Sequence, residues 1–495
     1  MSALRVLHVA SEVAPWAATG GLADVLAALP PAVARALPGS VHATVVPLYR
    51  EAQARLAAAG VALVDGPRLT VALGAHRLKV TLRRAAVAHG PWFVDCPSLY
   101  DRDGLYGDGG HDHGDNHLRF ATLCRAALDA APALLDGAPD VVHGHDWQAG
   151  LAIAFARWDG APARRVFTIH NVAFRGAFER AVVQELGLPW SAYDPEHLEA
   201  WGELSLLKAG LAYADAVTTV SPTYAEELYT PDFGYGFEGF LRYRVPPIVG
   251  IVNGIDTDAW DPMRDPALPA RFGAGDLAGK AACRAALLRE LGLPARSRTA
   301  LAVAVSRLSW QKGLDLLPEL APRLRRLPVQ LAILGSGEAA LEARLRALAA
   351  ALPGQVALRT GFDPALARRL YAGGDLLLMP SRFEPCGLDQ LYAMRYGTVP
   401  VVSSVGGLRD TVDDPGDRAL ATGEGTGFRL HTVDAEGLEE ALARAARMFV
   451  DRPAAFARVR AAGMARDSSW GPSAARYADL YRAATLPRTM LTRAG

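Results

Sequence analysis

Short apolar runs bounded by turn residues alternate with longer stretches of helical apolar spacing along nearly the whole chain. This is the pattern of βαβ units, because parallel strands need a crossover helix between them and are buried on both faces. Arg5–Ala10 reads as a buried strand and Glu12–Gly21 as a loop; Leu22, Val25, Leu26, Leu29 and Val33 then recur at helical spacing. Val41–Pro47 is a second strand, Pro91–Asp95 lies near the end of a strand-rich stretch, and Asp140–His143, Val166–His170 and Ala216–Val220 follow. A second series opens after Arg244-Val-Pro-Pro, since paired prolines stiffen the chain and cannot sit inside a helix. It comprises Ile248–Val252, Thr299–Val305, Val329–Leu334, Val356–Arg359, Leu376–Met379 and Val399–Val402. The expected fold is α/β, with two Rossmann-like, doubly wound parallel-sheet domains, residues 1–246 and 247–468. Their strand carboxyl ends are expected to face a central cleft. Residues 469–495 carry an amphipathic helix candidate, Ser469–Ala484, too short for a third domain.

Length supports this division. A chain of 495 residues exceeds what one hydrophobic core usually serves, which stops growing at about 250–300 residues. Fifty-two Lys plus Arg balance 52 Asp plus Glu, so no broad electrostatic case exists for nucleic acid or an anionic membrane. No uncharged apolar run reaches the roughly 18 residues of a bilayer span, and Arg5 and Glu12 leave the N-terminal apolar run too short for a secretory signal. The four cysteines, Cys96, Cys124, Cys283 and Cys386, show no CxxC pairing and suit a reducing compartment. The reading is a soluble, cytoplasmic protein.

Several strand ends carry chemistry. Thr19-Gly20-Gly21 leads into the first helix, and such a turn either brings backbone N–H groups to a phosphate or simply turns the chain. His143-Gly-His145-Asp146-Trp147 sets a carboxylate beside an indole, an acceptor next to an apolar wall, as sugar recognition requires; a helix-capping Asp beside a buried Trp is the plainer reading. Thr168-Ile-His170-Asn171 ends the next strand in the same way. Arg307 and Lys312, in Ser306-Arg-Leu-Ser-Trp-Gln-Lys-Gly, follow a strand and can neutralise a diphosphate. Ser381-Arg-Phe-Glu384-Pro-Cys386-Gly387-Leu388 suits a ligand-contacting loop, and Val405-Gly406-Gly407 supplies another glycine pair before a helix. Gly335-Ser-Gly337 approximates a dinucleotide fingerprint but lacks the acidic residue about 20 positions on that would hold a ribose. His111, His113 and His117, interleaved with Asp112 and Asp115, read as a polar surface loop, and no metal site is expected because zinc-ligand spacing is missing.

Taken together, the segments HVASEVAPW…TGGLADV, HGHDWQAGL, FTIHNVAFRG, LKAGLAYADAVTTVSPTYAEE, IVNGID, SRLSWQKGLD, PSRFEPCGLDQLYAM and GTVPVV…GGLRDTV run in order over almost the whole chain. The chain resembles the bacterial glycogen synthases and plant starch synthases, retaining glycosyltransferases of GT-B architecture. The resemblance implies transfer of glucose from ADP-glucose to the non-reducing 4-hydroxyl end of an α-1,4-glucan, with no cofactor. It implies that Arg307 and Lys312 stabilise the departing diphosphate, with Thr19, Gly20, Gly21, Gly406 and Gly407 as supporting donors. Glu384 matches a glutamate contacting the donor glucose, and Ser306, Cys386, Gly387 and Leu388 match the nucleotide-sugar site. His170 and Asn171 match positions beside the reacting sugar carbon, and Asn253 one near the glucose. Asp146, Trp147 and Asp24 match sugar contacts. The resemblance also implies that the C-terminal helix returns to the first domain.

Three positions depart from the family pattern. Ala18 stands where a Lys usually precedes TGG, Val405 where many relatives have Thr, and Tyr392 where a related EX7E pattern has its second acid. Ala18 keeps open a different nucleotide-sugar donor or acceptor, and a glucan-binding homologue without turnover is the non-enzymatic alternative. A phosphorylase lacks a segment arranging a Lys for pyridoxal phosphate, and a nicotinamide dehydrogenase lacks its ribose acid.

Overall fold

The computed structural model describes residues 3–485. They form two compact units, one running to Gly254 and resuming at Trp470, the other spanning Ile255–Ser469.

The first unit holds a nine-stranded sheet built from β1 (Arg5–Val9), β2 (Val41–Pro47), β3 (Leu63–Leu73), β4 (His76–Ala85), β5 (Trp92–Asp95), β6 (Val141–His145), β7 (Arg164–Ile169), β8 (Ala216–Thr219) and β9 (Val249–Gly250). Its order is β9-β8-β7-β6-β1-β2-β5-β4-β3. The seven strands from β9 to β5 run parallel. The hairpin β3–β4 joins antiparallel at one edge. Sequence order reverses between β1 and β6, which makes their carboxyl ends the topological switch point, where ligands bind in open α/β sheets. The strands in that centre are almost wholly buried, with Val6, Leu7, Val9, Val141 and Val142 at 0% exposure.

The second unit holds β10 (Ala300–Val305), β11 (Val329–Gly335), β12 (Val356–Thr360), β13 (Leu376–Met379), β14 (Val399–Ser403) and β15 (Phe428–Leu430), in the order β12-β11-β10-β13-β14-β15. All pairings are parallel, and the switch point lies between β10 and β13. Leu331, Ile333, Leu376, Leu378, Val399 and Val401 form its core with the covering helices.

Two local features differ from the sequence reading. The chain changes units after Gly254 rather than at the paired prolines 246–247. Those prolines follow the helix Glu238–Arg244, but Val249 then pairs opposite Thr218, so the Ile248–Val252 segment extends the first sheet instead of opening the second. The three short strands Ala177–Phe178, Glu199–Ala200 and Glu203–Ser205 form a small antiparallel sheet that the apolar patterning did not reveal. The helix Gly471–Thr485 belongs to the first unit, where it packs on the helix Gly21–Ala36 and Tyr481 reaches His143. No helix of the described residues is long and apolar enough to cross a membrane.

The segment after β6 is held by two close backbone approaches. A Cβ at Gly150, which opens the helix Gly150–Trp158, would lie 1.8 Å from the Leu206 carbonyl oxygen, and one at Gly210 would lie 2.4 Å from Phe167. Gly150→Ala is therefore expected to cost about 1–3 kcal/mol through overpacking. The expected fall in Tm is about 2–12 °C by calorimetry, at roughly 2–4 °C per kcal/mol for a unit of this size.

Candidate functional site

At the switch point of the first unit, β1 runs into Ser11 and Glu12, both buried. Glu12 binds the TGG turn from beneath: its carboxylate accepts from the Thr19 N–H at 2.6 Å and the Thr19 hydroxyl at 2.7 Å, and the Tyr106 hydroxyl also donates to it. Thr19 thus uses both its donors inside the protein, contrary to its expected role as a donor-phosphate contact. Gly20 and Gly21, exposed at the start of the helix, are the part of this turn open to a ligand. Asp24 lies exposed in the same helix's first turn.

At the end of β6, Asp146 has φ +58° and ψ −178°, a conformation close to glycine-only space. Such strain costs about 1–3 kcal/mol and persists only where the surroundings hold it. Here the restraint is plain: the backbone N–H groups of His170 and Asn171 donate to Asp146 Oδ1 at 2.7 and 3.3 Å, and the Asp146 N–H donates to Thr168 O at 3.0 Å. The ends of β6 and β7 are thereby locked together. Burial pushes the Asp146 carboxyl up to about 7 despite these two bonds, and Glu12 adds to the rise. Burial takes His170 the other way, to about 3, so its imidazole is neutral at physiological pH. Trp147 packs edge-on against Phe120 at 5.0 Å and beside Phe178, and its face covers Gly176, where a Cβ would come within 2.4 Å of the indole. Asn253 is buried, and its Oδ1 has no hydrogen-bond partner among the described residues. This end of the first sheet offers neutral or near-neutral acceptors beside an indole, the chemistry of hydroxyl recognition.

At the switch point of the second unit, β10 leads to Ser306 and Arg307, and β13 to Ser381–Leu388. The two loops are stitched together. Arg382 forms a two-pronged pair with Asp315 at 2.7 and 2.8 Å, its N–H donates to Gln311 O, and its guanidinium lies 4.6 Å from the Trp310 ring centroid. Gly313, at φ +68°, passes so close to the other loop that a Cβ would lie 1.9 Å from Pro380 O. Within this frame Lys312 Nζ donates to Glu384 Oε2 at 2.6 Å, and the Ser381 hydroxyl donates to the same oxygen at 3.1 Å. Both partners are largely buried, with side chains 15% and 8% exposed, which makes this a held pair rather than a solvated one. Arg307 is exposed and has no ion pair among the described residues.

Gly406 and Gly407 act differently from expectation. A Cβ on either would collide with the Glu384 or Cys386 backbone at 2.1–2.2 Å, and the Gly407 N–H donates to the carbonyls of Glu384 and Pro385. These glycines let one loop lie against another, and Gly407 does not supply a free N–H to a phosphate. Buried Cys386, Gly387 at φ +71° and Leu388 follow Glu384 into the helix Asp389–Arg395, with Gln390 Nε2 donating to the carbonyls of Cys386 and Gly387. Tyr392 stacks on Trp260 at 3.8 Å, a packing role at the position of the missing acid. Gly335 and Gly337 also serve backbone packing, each abutting the 306–308 loop. His111 and His113 sit on or beside a small hairpin, whereas His117 pairs with Glu185 at 3.0 Å. The described trio whose ring nitrogens could converge on a metal is instead His8, His143 and His145.

Sequence reading missed Glu12, Tyr106 and the Asp315–Arg382 pair. Glu12 alone had a signal: a carboxylate in an otherwise apolar run, directly before a glycine turn.

Residues 5–243 match the family described as starch synthase catalytic domain, and residues 292–448 that described as glycosyl transferases group 1. The chain is 50% identical to a glycogen synthase of Anaeromyxobacter dehalogenans over 97% of this chain and 99% of that one. It is 44% identical to glycogen synthase 2 of Geobacter sulfurreducens, again over 97% and 99%. Among solved structures, the catalytic domain of starch synthase IV from Arabidopsis thaliana, bound to ADP and acarbose, superposes with a TM-score of 0.87 at 32% identity, covering 98% of this chain and all of that one. A sucrose-phosphate synthase from Thermosynechococcus elongatus shares the fold at a TM-score of 0.56 and 18% identity.

The raised Asp146 carboxyl has a thermodynamic consequence. The folded state holds this proton up to about pH 7, whereas an unfolded Asp releases it near 3.8, so its contribution to stability is full below 3.8 and lost as pH rises to 7. Asp146→Asn, which keeps the acceptor oxygen and removes the charge, is expected to raise Tm at pH 8 and give no gain at pH 4. Thermal melts at the two pH values check this.

Proposed function

Because the chain belongs to the glycogen synthase and starch synthase family of glycosyltransferases, we propose that it transfers glucose from ADP-glucose to the non-reducing end of an α-1,4-glucan with retention of configuration. The observation that carries the reading is the Lys312–Glu384 pair at the second switch point, with Arg307 exposed at the neighbouring strand end. Breaking a sugar–diphosphate bond develops negative charge on the departing phosphate and positive charge on the sugar. Lys312, held in place by Glu384, and the exposed Arg307 supply positive charge for the first need, and donors of this kind are worth about 10²–10³ in rate. Glu384, already neutralised by Lys312, takes a donor-glucose hydroxyl, while Ser306, Cys386, Gly387 and Leu388 line the nucleotide-sugar loop. In the first unit, His170, Asn171, Asp146, Trp147 and Asn253 receive sugar hydroxyls and faces, and Gly20 and Gly21 lie by the diphosphate. The first unit, to Gly254, then forms the glucan side and the second, Ile255–Ser469, the donor side. Four free, buried cysteines support a cytoplasmic setting.

Labelled glucose should enter glycogen from ADP-glucose in preference to UDP-glucose, and Lys312→Ala should lower kcat at least about a hundredfold. A folded protein that transfers from neither nucleotide sugar refutes the reading.

Half-buried Ala18 precedes the TGG turn without the cation that the family resemblance implies there. Ala18→Lys is expected to lower KM for ADP-glucose about tenfold, the worth of one charge-assisted hydrogen bond. An unchanged KM points to a site retuned for another donor.

A further inference from the structure

Four imidazoles stand end to end through the first unit. Ser40 Oγ lies 2.9 Å from His42 Nε2, His42 Nδ1 3.1 Å from His8 Nε2, His8 Nδ1 3.5 Å from His145 Nε2, and His145 Nδ1 3.1 Å from His170 Nε2. His8 and His145 have no exposure at all. Burial holds all four below their ordinary range, helped by neighbouring imidazoles at His8, His42 and His145, with His42 at about 4 and His170 at about 3, so each ring is neutral and carries one proton. A neutral imidazole donates from one nitrogen and accepts at the other, so the direction of one link sets every other.

That direction is decided at the far end. The Ser40 hydroxyl has a single proton, and it goes to the Leu37 carbonyl at 2.8 Å. Leu37 caps the helix Gly21–Ala36, and its carbonyl can only accept. Ser40 Oγ must therefore accept from His42 Nε2–H, His42 Nδ1 from His8 Nε2–H, His8 Nδ1 from His145 Nε2–H, and His145 Nδ1 from His170 Nε2–H. The reverse order would set two lone pairs against each other at Leu37.

We infer that Ser40, His42, His8 and His145 are positioning residues that fix His170 as the Nε2–H tautomer, leaving its Nδ1 as a bare acceptor for a substrate hydroxyl. The tautomer assignment rests on this geometry and on the neutrality of the buried rings, and its bearing on a sugar hydroxyl rests on the proposed function. A hydroxyl donated to Nδ1 is held by a neutral lone pair, whereas the opposite tautomer would present an N–H and demand a hydroxyl lone pair instead. The row also accounts better than a metal for the buried trio His8, His143 and His145. His143 is committed on both nitrogens, to Tyr481 Oη at 2.7 Å and Thr168 Oγ1 at 2.6 Å, and His8 and His145 are committed along the row.

Long-range ¹H–¹⁵N correlation spectra of the full chain labelled at its 12 histidines read each tautomer directly. The wild type should show His8, His42, His145 and His170 protonated at Nε2. His42→Leu removes the acceptor for His8 Nε2–H, so the row should reverse and His170, three rings away, should become Nδ1–H, with kcat falling about fivefold to tenfold and KM for ADP-glucose within twofold. His42→Asn, whose Oδ1 stands where Nδ1 stood, should restore the wild-type spectrum and kcat. A wild-type His170 protonated at Nδ1, or a His170 signal unmoved in His42→Leu, overturns the inference regardless of activity. Absent glucose transfer with the expected spectra refutes the functional reading alone.

Discussion

Parallel pairing is the constraint on which the rest depends. Once β1 pairs with both β2 and β6 in parallel, every strand in the sheet's centre ends at the same edge, and the helices leaving the two halves part at one place. The same holds between β10 and β13. The polar clusters on which the proposed function rests follow directly: Ser11, Glu12, Asp146 and His170 at one switch point, Arg307, Lys312 and Glu384 at the other. Each group draws on segments far apart in sequence and is assembled by the sheet.

The two groups differ in electrostatic character. The first unit keeps its polar groups neutral or nearly so by burying them, raising Asp146 and lowering His170, and it fixes their direction with backbone N–H groups and a row of imidazoles. The second unit keeps its charges and pairs them, Lys312 with Glu384 and Arg382 with Asp315, on loops whose glycines exist to let backbones touch. Neutral acceptors suit a hexose, whose hydroxyls carry no charge. Fixed cations suit a leaving diphosphate, whose charge grows during reaction. The proposed division of labour thus has a physical basis in which groups each unit buries and which it pairs.

Much of this was legible from residue order because buried parallel strands read as unbroken apolar runs flanked by turn residues. What was not legible depended on contacts between distant segments. The paired prolines 246–247 marked the end of a helix, and a two-residue strand beyond them was too short to announce which sheet it joined. Gly406 and Gly407 looked like ligand contacts because a glycine pair before a helix has two uses, and only the position of Glu384 and Cys386 decides between them. Glu12 was passed over because its partners, Thr19 and Tyr106, lie on other loops. His8 and His143 read as parts of two separate strands; their alignment in register, with His145 two residues on and so on the same face, is what builds the imidazole row.

The central claim is that Arg307 and Lys312 hold the diphosphate of the nucleotide sugar. Calorimetric titration with ADP, run against adenosine on the wild type and on Arg307→Ala and Lys312→Ala, tests it without requiring turnover. The account predicts that each substitution weakens ADP binding at least about tenfold, near 1.4 kcal/mol, while adenosine affinity stays the same. ADP affinities within twofold of wild type in both variants would contradict it.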